Sequence, residues 1–183
     1  MNLIIWLLLL LFTPSIHVGV PTPPDQLWNM HTQEELLIMD MEEYISDYIR
    51  IVNPGVENPE YIASIIVEKS IENGLDPFVV SSLTKHESTF EDTAQSITNA
   101  IGLLQILQST ANLYGFEKDL WNPENNMEFG CFYLSDLYGS YGLEKALRFY
   151  NTGTLTDGTA FARSVMHTAR INRDRFETLY EYN

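Results

Sequence analysis

Three Asx–proline pairs, Asn58-Pro59, Asp76-Pro77 and Asn122-Pro123, each stand just before apolar residues spaced three and four apart. An Asn or Asp side chain can accept from the first free amides of a helix, and proline at the first helical position has no amide proton to satisfy. The pairs therefore predict three helix starts. The first carries Ile62, Ile66, Val67 and Ile71 and stops at Asn73-Gly74. The second carries Val80 and Leu83, and the third Met127, Cys131, Leu134 and Tyr138. Upstream, Thr32 and Glu35 form a capping box, opening a helix towards Val52 with Leu37, Met41, Tyr44, Ile45 and Tyr48 at helical spacing. Asn53-Pro54-Gly55 ends it. Shorter helices are expected around Ser109 to Tyr114 and from Leu143 to Gly153, and a last one from Thr159 to about Tyr180. Ser88 to Ala100 is polar and turn-rich, with little regular structure expected. Strand-like alternation is nearly absent, so the chain reads as all-α, a single domain of about seven helices.

A chain of 183 residues, 45% of them hydrophobic, suffices for one compact domain with a core. The expected divisions are 1–20, a signal peptide or N-terminal anchor; 21–31, a Pro-rich linker; 32–57, an acidic helix; and 58–180, the main domain. Leu3 to Phe12 is an unbroken apolar run of signal-peptide length, too short to span a bilayer. No Lys or Arg precedes it, and Val18-Gly19-Val20 is the best approach to a cleavage site. The expected location is outside the cytoplasm, in the periplasm or cell envelope. Cys131 is the sole cysteine, which excludes an internal disulfide and leaves it a small buried apolar residue.

Ten basic against 25 acidic residues leave a formal charge of −15. Such a chain has no basic surface to displace counterions from a phosphate backbone, so nucleic acid is excluded as a partner. Nine acids against Arg50 alone fall between residues 25 and 60. His86 has no second histidine at i+4, and His17, His31 and His167 lack ligand spacing, so no metal or cofactor is expected.

Glu87 stands out against this background. It follows Val80 and Leu83 at spacings of three and four, on the apolar face of its helix. Desolvation disfavours a charged carboxylate, so its pKa should rise. A carboxyl group still protonated near neutrality can donate its proton to a leaving group, as glycosidic-bond cleavage requires. Glu91 and Asp92 read as solvated loop charges, so no convincing second carboxylate accompanies it. Ser88 lacks the His or Lys that would make it a nucleophile. Tyr150, one turn beyond Ala146 and Leu147, has two readings: partner of the carboxyl group or structural tyrosine. Trp121 is equally open between sugar platform and core.

Several pieces occur in order: Gly74-Leu75-Asp76-Pro77, Glu87-Ser88-Thr89-Phe90, Ala94-Gln95-Ser96, Ala100-Ile101-Gly102-Leu103-Leu104-Gln105-Ile106, Asp119-Leu120-Trp121-Asn122-Pro123 and Phe149-Tyr150-Asn151-Thr152-Gly153. Together, over roughly Glu60 to Met166, they resemble the catalytic domain of the soluble lytic transglycosylase family. The resemblance implies a lysozyme-like fold that cleaves the β-1,4 bond between N-acetylmuramic acid and N-acetylglucosamine in peptidoglycan. Glu87 matches the family's acid, which protonates the glycosidic oxygen and then acts as base on the muramyl C6 hydroxyl, closing a 1,6-anhydro ring. Ser96 matches a serine near that group, and Ser88 follows the acid directly. Gly102 and Gln105 match a Gly-Leu-Met-Gln motif, with Leu104 for methionine. Tyr150 and Asn151 match a Tyr-Asn pair flanked by alanines, here Phe149 and Thr152. Asn99 replaces a frequent glycine, a position Asn tolerates in left-handed backbone, and Ile97 replaces a frequent proline.

A sugar that supplies its own nucleophile needs only one protein carboxylate, whereas ordinary glycosidases need two. Two other functions remain open: a goose-type lysozyme-like hydrolase, and a non-catalytic glycan-binding or assembly protein. The expected partner is the peptidoglycan glycan strand, met by a monomer. With an export leader and no recognisable wall-anchoring module, the chain resembles an accessory enzyme of a secretion, conjugation, pilus or bacteriophage machine. The acidic helix either docks such a machine or packs as an ordinary first helix.

Overall fold

A computed structural model describes residues 32–180; the leader, the linker, His17 and His31 lie outside the described residues. The chain divides into two compact units, 1–40 and 41–183, with the boundary inside the first helix. In the first unit the capping box forms as the residue pattern predicts. The Thr32 amide donates to the Glu35 carboxylate at 2.7 Å and the Glu35 amide to Thr32 Oγ1 at 3.1 Å. This opens α1, Gln33–Val52.

In the second unit α1 is followed by α2 (Pro59–Glu72), α3 (Pro77–Ser88), β1 (Ala100–Ile101), β2 (Ile106–Leu107), α4 (Gln108–Leu113), α5 (Pro123–Tyr141), α6 (Leu143–Thr152) and α7 (Thr159–Leu179). The described residues are thus mainly helical, with seven helices. All three prolines sit at helix starts. Asp76 accepts from the Phe78 amide at 2.9 Å and Asn122 from the Asn125 amide at 3.1 Å, whereas Asn58 makes no side-chain cap. Gly74 and Gly153 have φ of 64° and 70°, the left-handed geometry that lets the chain leave a helix.

α3 packs against α7 and α2, α6 against α5 and α7, and α2 also against α5. Phe78 and Phe176 meet at 5.2 Å, and Val80, Leu83 and Ile66 are also fully buried. Tyr138 departs from the expected α5 stripe. It is 41% exposed, and Leu137 is buried instead.

The stretch after α3 holds the one element that apolar periodicity did not reveal. β1 and β2 pair antiparallel, Ala100 with Leu107 and Ile101 with Ile106, and Gln95 adds a bridge to Ile101. Strands of two residues are too short to alternate, and no Asn-Gly or Asp-Gly turn marks the hairpin.

Candidate active site

Glu87 lies in the last turn of α3, one residue before the helix ends. Both ends of that helix are fastened. At the start, the capping residue Asp76 also forms a buried ion pair with Arg173 of α7. At the end, Thr89 and Phe90 take positive φ of 54° and 63° without being glycine. Such backbone costs on the order of 1 kcal/mol per residue. Complete burial of Phe90 offsets it by about 2 kcal/mol, and Asn53 Nδ2 donates to the Thr89 carbonyl at 3.0 Å. The turn ends α3 before Glu91. Glu91 and Asp92 line a cleft of about 400 Å³ with Gly55, Glu57 and Tyr61, and Glu91 accepts from Thr93 at 2.6 Å.

The Glu87 side chain is largely buried but keeps an opening to solvent, and desolvation raises its pKa from 4.5 to about 7. Near neutrality a large share of the molecules hold a protonated carboxyl group there. Close by, burial and the Glu87 charge push the Tyr150 phenol well above its ordinary range. Its hydroxyl donates to the Leu104 carbonyl at 2.9 Å, so its proton bridges to the loop and not to the carboxyl group.

That loop, joining β1 to β2, is held by side chains from three helices. Ser88 Oγ at the end of α3 donates to the Leu103 carbonyl at 2.9 Å. Tyr150 of α6 holds Leu104. Asn126 of α5, fully buried, accepts from the Leu104 amide at 2.9 Å and donates to the Ile101 and Leu120 carbonyls at 2.8 and 3.1 Å. Gly102, at φ 71°, has no room for a side chain, because a Cβ would fall 2.6 Å from Asn126 Nδ2. Gly130 clears space on α5 in the same way, since a Cβ there would fall 2.3 Å from Leu104 Cδ1.

Of the other candidates, Gln105 lies in the loop itself, and Ser96 and Asn99 in the turn before β1. Gln105 Nε2 donates to the carbonyls of Ala94 and Gly102 at 3.2 and 3.0 Å, closing the loop's two sides. Ser96 Oγ accepts from the Ala100 amide at 3.0 Å and lies 2.9 Å from Thr98 Oγ1, so its bonds stay within its own turn. Asn99 takes the left-handed conformation, φ 63°. Asn151 is exposed beside Tyr150 on α6. Trp121 is 45% exposed and not a core residue. His86 Nε2 lies 3.2 Å from Thr168 Oγ1, and among the described residues no group of His, Cys, Asp and Glu is arranged to hold a metal. Asn126 is the site residue that pattern reading passed over. A signal existed: it stands four positions before Gly130, on the same helix face, and an amide there needs buried partners.

The family model described as "Transglycosylase SLT domain" matches residues 64–172, more than half of the chain. The chain belongs to the transglycosylase SLT domain family. The SLT domain here is similar to the membrane-bound lytic murein transglycosylase C of Photorhabdus laumondii, 34% identical over 87 residues, covering 42% of this chain and 24% of that protein. The protein of the same name from Pectobacterium atrosepticum is 31% identical over 123 residues, covering 60% and 34%. The chain therefore spans between a quarter and about a third of the length of these relatives. Among solved structures it is similar to an inactive mutant of lytic transglycosylase Slt from Pseudomonas aeruginosa, with a TM-score of 0.44 and 22% identity over 70% of this chain and 23% of that one. Within the SLT domain match fall Glu87, Ser88, Ser96, Gln105, Tyr150 and Asn151.

Proposed function

We propose that this SLT domain is a peptidoglycan lytic transglycosylase. It cleaves the β-1,4 bond from N-acetylmuramic acid to N-acetylglucosamine and leaves a 1,6-anhydromuramyl end. The observation that carries the reading is Glu87, a desolvated carboxyl group titrating at about 7 at the open end of a rigid helix. In its protonated form Glu87 gives its proton to the glycosidic oxygen as the bond to the muramyl C1 breaks. The resulting carboxylate takes the proton of the C6 hydroxyl while O6 bonds to C1. Glu87 ends protonated, no water is consumed, and one group serves as acid and base in turn.

The supporting groups have separate tasks. Ser88, Asn126 and Tyr150 hold the backbone from Ile101 to Leu104 in place beside the carboxyl group. Gln105 stiffens the same loop, Ser96 closes the turn before β1, and Asn151 is exposed beside Tyr150 for a sugar substituent. A hydrolase would call for a second carboxylate, and Glu91 and Asp92 face a cleft of which Glu87 is not a lining residue. Residues 58–180 make up the catalytic part, preceded by the acidic helix. An apolar leader over residues 1–20 fits action at the cell envelope. Among the described residues no helix is long and apolar enough to cross a membrane. Digestion of purified sacculi and weighing of the released muropeptides tests the proposal. Anhydro products are expected, lighter by one water than hydrolysis products, and absent with Glu87→Gln. Products of hydrolytic mass would overturn it.

A further inference from the structure

Beyond the loop, a run of aromatic rings leads away from Tyr150. The Tyr150 ring lies 5.4 Å from Tyr133, Tyr133 lies 5.6 Å from Tyr114, and Tyr114 lies 5.7 Å from Phe132. The last two rings stand nearly perpendicular, at 83°, and form one corner of a pocket of about 440 Å³. Phe116 is also in its wall, with Glu72, Asn73 and Glu128 supplying polar groups. Tyr114 and Phe132 remain 44% and 46% exposed and touch one another, a contiguous apolar surface of the kind that marks a binding site.

The corner is rigid before anything binds. The Tyr114 hydroxyl donates to Asp136 at 3.1 Å, and its ring also meets Phe129 at 6.0 Å. Platforms already fixed in this way lose little conformational entropy on binding. Flat apolar faces beside carboxylate and amide acceptors suit one class of ligand, a pyranose ring. Its C–H face lies on the aromatic ring while its hydroxyls and acetamido N–H reach the acceptors. Glu72 already accepts from Lys69 at 3.2 Å and Glu128 from Lys118 at 2.6 Å, and each carboxylate keeps further lone pairs that a sugar hydroxyl can use and an apolar peptide side chain cannot.

We propose that Tyr114 and Phe132 form a remote sugar site for one N-acetylhexosamine unit of a glycan strand whose reacting bond lies at Glu87, joined to it by the ring path through Tyr133. The site rests on the function proposed above, since continuity with Glu87 is what selects a polymer over a free sugar. It gives the domain a preference for long strands.

Pelleting with insoluble sacculi, competed by soluble glycan strands freed of stem peptides, tests the site, with Glu87→Gln as the parent so that strands stay intact. Adding Phe132→Ala should raise the half-saturating amount of sacculi about tenfold, the usual cost of truncating an aromatic anchor. Leu113→Ala, at a residue 85% exposed and outside the pocket wall, should leave it unchanged. Tyr114→Leu serves as a second variant, with circular dichroism checking that both fold. Folded Phe132→Ala and Tyr114→Leu proteins that pellet like the parent would overturn the sugar site. That result leaves the chemistry at Glu87 standing if the wild type still releases anhydro muropeptides. A wild type that releases none removes the chemistry, whatever the pelleting gives.

Discussion

The Tyr150 hydroxyl and the Leu104 carbonyl, 2.9 Å apart, tie α6 to the loop between the strands within reach of the Glu87 charge. Tyr150→Phe removes that bond and leaves a buried carbonyl without its donor. Stability should fall by about 1–2 kcal/mol, measured by urea unfolding. Turnover should fall with it, because the loop beside the carboxyl group loses one of its three tethers.

Activity should follow the protonation of Glu87. Under the proposed mechanism the acid reacts from its protonated form, so kcat/KM should decline as pH rises through about 7. Glu87→Gln should lower kcat by about 10² to 10⁴. A rate profile that is flat from pH 5 to 9 would contradict the assignment of the acid.

The same group makes stability depend on pH. Below 4.5 both folded and unfolded states hold the proton, and ionisation contributes no difference. From 4.5 to about 7 the unfolded chain ionises first, so folding weakens as pH rises. Above that the cost is complete, about 3 kcal/mol. Glu87→Gln should therefore raise Tm at pH 8 while changing it little at pH 4, which differential scanning calorimetry would reveal.

Asn126 and Gly102 form a fitted pair. Asn126→Leu strands one buried amide and two carbonyls, with an expected loss of about 3 kcal/mol. Gly102→Ala meets both a positive φ and the Asn126 amide group, and should cost about 2 kcal/mol or more. Combining Gly102→Ala with Asn126→Ala should cost less than the sum, because the second change removes the first one's clash. Chemical denaturation of Gly102→Ala, Asn126→Ala and the double variant checks this.

Most helices were legible because capping chemistry is local. Asp76-Pro77 and Asn122-Pro123 carry their own start signals, and Gly74 and Gly153 their own stops. Glu87 was legible because a carboxyl group on an apolar stripe breaks the pattern of its helix. Tyr138 misleads because spacing alone does not say which side of α5 its neighbours cover. The hairpin and the Asn126 clamp were not readable from local pattern, since both depend on groups far apart in sequence, as in the 22 residues between Leu104 and Asn126. Ser96 and Gln105 stand out by motif, but that Gln105 braces the loop and Ser96 its own turn depends on how the chain folds back on itself.

The bare backbone at Gly130 reaches further than its own helix. Because Leu104 fills the vacant space above it, positions 104 and 130 share a single allotment of volume. A variant library that introduces alanine at 130 should recover function only where 104 shrinks to valine or alanine in the same clone.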